Sequence, residues 1–179
     1  MLSRTLMIAA VATVAASSFA QTSMNGFGLS VGAFFPQNTA LKNATSNTGW
    51  MIAVDYALGQ GYSMGQGGSA KPSLEVGYAR NGGSDNLSTF SALLMNRMNF
   101  SMGGSEKGGF APYFLAGIGF FRHSTDIGGV TDDENRFGGV VGLGADVAQR
   151  TAIEAGWRFS GKINGTNTDG FFARVRFRF

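Results

Sequence analysis

The last nine residues, Phe171 to Phe179 (FFARVRFRF), constrain this chain more than any other stretch. Phe171, Ala173, Val175, Phe177 and Phe179 fall on one side, and Phe172, Arg174, Arg176 and Arg178 on the other. That is period-two alternation, the mark of a strand with two chemically different faces; a helix would spread the arginines around its circumference. An apolar row running to Phe179 would be an aggregation hazard on the edge of a sheet in water. It needs a different neighbour.

The same alternation recurs in seven earlier segments, separated by turn-forming residues. They are Phe27–Phe35, Trp50–Leu58, Ser73–Arg80, Leu87–Phe100, Phe110–Arg122, Phe137–Val147 and Thr151–Ser160. Between them, Gln37–Asn47, His123–Asn135 and Gly161–Gly170 read as loops. Gly59–Pro72 reads as a long Gly-rich connection, and Asn81–Asn86 and Gln149-Arg150 as turns. At about 3.3 Å per residue and roughly 40° tilt, nine residues rise about 23 Å, close to the ~25 Å apolar band of membrane barrels.

Alternation alone does not say which face meets water, because a secreted ligand-binding barrel also alternates, with its apolar row inward. The minor face decides. A water-facing surface would be rich in Lys, Glu and Thr; here it is Gly, Ser and Ala with isolated charges, among them Asp55, Glu75, Arg97, Asp146, Glu154, Arg158, Arg174 and Arg176. Small residues and a few opposite charges suit the crowded interior of an eight-stranded barrel. Charged residues are 14% of the chain, against about 25% in an ordinary soluble domain. The expected fold is all-β: an eight-stranded antiparallel up-and-down transmembrane β-barrel.

Residues 1–20 read as a signal peptide, with Arg4, the apolar run Leu6–Ala16 and the small-x-small site Ser18-Phe19-Ala20. Residues 21–179 are then one barrel domain. The chain has no cysteine, so neither a disulfide nor a lipid-modified cysteine contributes. The formal charge of +3 is small and the arginines form no basic run, which argues against nucleic-acid binding.

The signal peptide, the eight segments, the Pro112–Phe120 stretch (PYFLAGIGF) and Phe179 resemble the small outer-membrane barrels, such as the transmembrane domain of outer-membrane protein A and the opacity/porin-like families. The resemblance implies the cell outer membrane after Sec-type export, contact with outer-membrane lipids and lipopolysaccharide, and escort by periplasmic chaperones. It also implies insertion by the barrel assembly machinery, which reads the last strand: here Phe171, Ala173, Val175, Phe177 and Phe179 form the assembly signal. No cofactor is implied.

The best-defined constellation is a lumen charge network of Asp55, Glu75, Asp146, Glu154, Arg158, Arg174 and Arg176. Buried charges must be paired, so a structural plug is favoured over a gate or narrow ion path. Arg178 reads as a solvated rim residue, and Arg174→Gln as milder than Val175→Arg. Trp50, Tyr56 and Trp157 read as an interfacial girdle. His123, with Ser124 and Asp126, invites comparison with lipid-modifying barrel enzymes, but Ser124 is adjacent and points to the opposite face of a strand. His123 therefore reads as a loop-base histidine. The carboxylates Asp126, Asp132, Asp133 and Glu134 read as a solvated acidic loop and not a metal site. The expected role is structural or surface-interacting, through the outer loops; the rivals are a narrow pore for small solutes and a lipid-modifying enzyme.

Overall fold

The computed structural model describes residues 26–63, 68–82, 85–99, 110–127, 129–163 and 165–179. The expected signal peptide lies outside them, as does Phe100. The chain forms β1 (Phe27–Pro36), α1 (Thr39–Ala44), β2 (Gly49–Ala57), β3 (Tyr62–Ser63), β4 (Ser69–Gly82) and β5 (Asn86–Asn99). It continues through β6 (Ala111–Ile127), β7 (Val130–Ala148), β8 (Thr151–Phe159), β9 (Lys162–Ile163), β10 (Thr166–Asn167) and β11 (Gly170–Arg178). Eight long strands pair antiparallel in the order β2-β1-β11-β8-β7-β6-β5-β4, and β2 pairs with β4 to close the ring. The result is a closed eight-stranded barrel. Closure leaves no long edge to recruit another chain.

The seam is made by the alternating C-terminal stretch. β11 pairs with β1 from Gly28↔Arg178 to Pro36↔Gly170 and with β8 from Gly170↔Arg158 to Phe177↔Thr151. Arg174 and Arg176 point inward and are buried, while Phe171 and Val175 point outward and are exposed. The same division holds elsewhere: Ile52, Val54, Leu74, Val76, Leu94, Ile118, Leu143 and Ile153 are exposed outward. Asp55, Glu75, Arg97 and Glu154 are buried inward.

The lumen is filled by more than charges. Phe34, Leu93, Met95, Tyr113, Leu115, Phe121, Val140, Ala152 and Phe172 form a contiguous inner core. Inward glycines make the room, as tight lumens require: a methyl at Gly144 would overlap the Tyr113 ring, and one at Gly117 would overlap Met95 Sδ.

Four connections differ from the sequence expectation. His123–Asn135 is not a loop: β6 and β7 run on as a paired hairpin to Ile127↔Val130, turning at Gly129, whose φ of 79° suits glycine. Gln37–Asn47 contains α1, where Asn38 Oδ1 accepts from Leu41 N at 3.2 Å as an N-cap. Leu41 then packs with Leu87 and Ile163, the latter from the β9–β10 hairpin inside the expected loop 161–170. Those contacts lie at the end of the barrel away from Phe179. Finally, β4 begins at Ser69, and Tyr62↔Ala70 and Ser63↔Ser69 pair beside its start, so six residues of the expected Gly59–Pro72 connection are strand. Tyr62 Oη accepts from Asn96 Nδ2 at 2.9 Å, giving a partner to the polar side chain that interrupts the outward row Phe90, Ala92, Leu94 and Met98 of β5.

Candidate functional site: the charged lumen

Register brings distant carboxylates and guanidiniums to one level. Asp55↔Glu75 are partners across β2 and β4, Lys71↔Arg97 across β4 and β5, and Arg174↔Glu154 across β11 and β8. Apart from Lys71, which is exposed, these side chains are buried, so each of their charges must find its opposite inside the barrel.

Glu154, fully buried, is the hub. Its Oε1 accepts from Arg97 Nε at 2.7 Å and from the Tyr113 hydroxyl at 2.8 Å, and its Oε2 accepts from Arg174 Nε at 2.7 Å. Arg174 extends a fork to Glu75, with Nη1 and Nη2 each donating at 2.8 Å. Arg97 also donates to Glu75 at 3.2 Å and to Ser73 Oγ at 2.9 Å, and its Nη1 stands 3.7 Å from Asp55. Arg176 grips Asp55 side-on, with Nε at 2.8 Å and Nη2 at 2.6 Å. A methyl at Gly28 would overlap that pair. Three arginines thus face three carboxylates in one connected layer, with charge balanced and donors matched to acceptors.

Two of the expected members stand apart. Asp146 sits at the mouth near the termini, where Arg178 Nη1 donates to it at 3.0 Å and Arg178 Nη2 donates to the Gln149 carbonyl at 3.0 Å. Arg178 is therefore paired and not merely solvated, because the short Gln149-Arg150 turn brings strand β7 back beside it. Arg158 lies one layer beyond the network, toward the far end. Its guanidinium carbon stands 3.6 Å from the centre of the Phe34 ring and 5.9 Å from that of Phe121. Strand parity placed it inward but could not show that its rise along the tilted strand takes it out of carboxylate reach. In the other direction, Arg97, Tyr113 and Ser73 join the layer. Arg97 was legible as an inward charge; Tyr113 was hidden in a stretch whose two faces are both apolar.

Above Arg158 lies a second polar layer. His123 is fully buried, and points inward from the part of β6 expected to be a loop. Its Nε2 donates to the Ser160 carbonyl at 2.9 Å, so its Nδ1 is the acceptor for the Thr89 hydroxyl at 3.0 Å. Thr168 Oγ1 lies 3.3 Å from Nε2. Ser124 faces the other way and, with Arg122, holds the Asp133 carboxyl below its usual titration range. Arg122 donates to Asp133 at 3.1 Å, and Arg136 pairs with Glu134. Among the described residues no three potential metal ligands converge.

On the outer surface, Trp50 and Tyr56 are exposed near opposite ends of β2. Trp50 lies 5.4 Å from Tyr78 and Tyr56 lies 4.9 Å from Phe27, centre to centre. Trp157 neighbours Phe159 at 6.4 Å, and Phe120 meets Phe137 at 5.5 Å. The uncovered residues between these aromatic rows are aliphatic, the surface that hydrocarbon requires.

A closed eight-stranded ring with aliphatic outside and balanced charges inside agrees with the sequence-family comparison, in which the outer membrane protein beta-barrel domain matches residues 6–179. The chain belongs to that family. Among solved structures, this family member superimposes on the outer membrane enzyme PagL with a TM-score of 0.63 at 13% identity, covering 85% of this chain and 99% of that one. It superimposes on Neisserial surface protein A with a TM-score of 0.52 at 17% identity, covering 86% and 95%. At these identities the likeness is one of fold. No curated protein sequence matches the chain. Membership in an outer-membrane barrel family places the chain in the outer membrane.

Proposed function

We propose that this outer-membrane barrel is a closed structural element that acts through surface contacts of its outer loops and of the projecting β6–β7 hairpin. The observation that carries this reading is the ion-paired layer of Arg97, Arg174 and Arg176 with Asp55, Glu75 and Glu154, which crosses the lumen. Short turns in such barrels face the periplasm and longer connections face outside. The Gln149-Arg150 turn is then periplasmic, and α1, the β6–β7 hairpin and β9–β10 are external. Arg80 and Arg122 face outward beyond the aromatic row and suit lipopolysaccharide phosphates. The C-terminal row Phe171, Ala173, Val175, Phe177 and Phe179 suits recognition by the barrel assembly machinery after Sec-type export and chaperone escort. A non-enzymatic role is favoured because both ring nitrogens of His123 are engaged inside the barrel.

Planar-bilayer recording of the purified protein tests the reading. The expected outcome is no steady conductance. A steady ion-selective current that changes in Arg174→Ala would replace the plug with a pore.

A further inference from the structure

Arg158 is 7% exposed, and its Nε and Nη2 are fully buried with no hydrogen-bond acceptor. Those two atoms form the side-on edge of the guanidinium, the same edge with which Arg176 grips Asp55. Every carboxylate of the lumen layer is already engaged: Glu154 by Arg97 and Arg174, Glu75 by Arg174 and Arg97, Asp55 by Arg176. Asp169, whose charge also acts on Arg158, accepts the backbone N–H groups of Ser160 and Gly161 at 2.7 and 3.1 Å. The Phe34 ring satisfies the flat face of the guanidinium but cannot accept from its in-plane edge. His123, in the polar layer above, donates to Ser160 and is no acceptor for Arg158.

A cavity of about 30 Å³ has Arg158 in its wall together with Phe34, Phe121, Phe172 and Ser91; Glu75 and Arg174, which are paired with each other at 2.8 Å, line it as well. One water-sized sphere takes roughly 10–15 Å³. The space therefore admits about two such bodies, which suits a halide ion with one water and is too small for a phosphate ester or a sugar. A buried cation whose donors meet nothing is strongly disfavoured; water can accept from the two N–H groups but leaves the charge, and the least bulky group that answers both is a monovalent anion.

We propose that this chamber is a binding site for a small inorganic anion of the halide class, held side-on by Arg158 Nε and Nη2 under the Phe34 ring. The anion neutralises the lumen charge that the carboxylates leave unmatched. Occupancy links to folding, because the unfolded chain has no such site.

The test is the urea midpoint of the full mature protein folded in neutral detergent. Sodium chloride is titrated against sodium gluconate at constant ionic strength, since gluconate is too large for the cavity. The midpoint is expected to rise with chloride and saturate; for a Kd near 10 mM the folded-to-unfolded ratio grows about tenfold by 100 mM. Arg158→Gln should abolish the rise, and Arg178→Gln, at the opposite mouth, should retain it. Bromide anomalous scattering from wild-type crystals should peak beside Arg158, a readout that stands even where Arg158→Gln does not fold. Equal midpoints in chloride and gluconate would overturn the proposal. So would a response that Arg158→Gln keeps, or bromide found only at the Arg178 mouth.

Discussion

Near the termini, Arg97, Arg174 and Arg176 lie in a layer where each guanidinium meets at least one carboxylate within 3.2 Å. One layer further along the same lumen, Arg158 is as deeply buried and meets aromatic rings. The residue type and the burial are the same; the partners differ. In the first layer, strand register supplies three carboxylates to three arginines, so desolvation is offset by charge-assisted bonds. In the second, inward positions are taken by Phe34, Phe121, Val140 and Phe172, and the cation rests on ring faces. The lower half of the barrel is held by matched charge, and the upper half by packing around Arg158 and by the hydrogen bonds of His123.

The sharpest way to break this contrast is to unmatch the lower layer. Glu154→Ala strands Arg97, Arg174 and Tyr113 together and should cost about 3–5 kcal/mol of stability in detergent, read from the urea midpoint. A cost below about 1 kcal/mol would mean the layer is not the keystone described. Val175→Arg, on the lipid face of the neighbouring position, should cost about 2–4 kcal/mol in lipid vesicles. Arg174→Gln should match or exceed it, reversing the order that alternation alone suggests, because Arg174 makes three bonds to Glu75 and Glu154. In the upper half, Thr89→Val removes the donor to His123 and should cost about 1–2 kcal/mol. Without chloride, Arg158→Met should change stability by less than about 1 kcal/mol, since it exchanges a cation–ring contact for relief of a buried charge. A loss as large as that of Glu154→Ala would erase the distinction between the halves. Smallest of all, Arg122→Ala on the exposed hairpin should cost less than about 0.5 kcal/mol, visible only in a precise midpoint comparison.

Much of the barrel was legible because lipid imposes a strict rule: within the membrane every outward position must be apolar, so strands announce themselves at period two. The rule also explains where reading failed. Beyond Phe120 and Phe137, outward residues such as Arg122 and Asp133 meet water, and the strand continues without the signal; His123–Asn135 therefore looked like a loop. Tyr113 escaped notice because Phe114 and Leu115 make both faces of β6 apolar there, and only Gly144 opposite reveals the room for its ring.

By itself the sequence makes residues 27–35 and 171–179 two-faced ribbons, puts mainly small residues on one face of the first and arginines on one face of the second, and requires lipid at the other. Local side-chain alternation is enough for that, since it depends on no partner. Which guanidinium meets which carboxylate was decided only by closure of the ring. Arg174 reaches Glu75 across 99 residues and Arg176 reaches Asp55 across 121, and tilt and register set the height at which each inward side chain arrives. Parity says in or out; only the assembled barrel sets the level, and that level leaves Arg158 among rings.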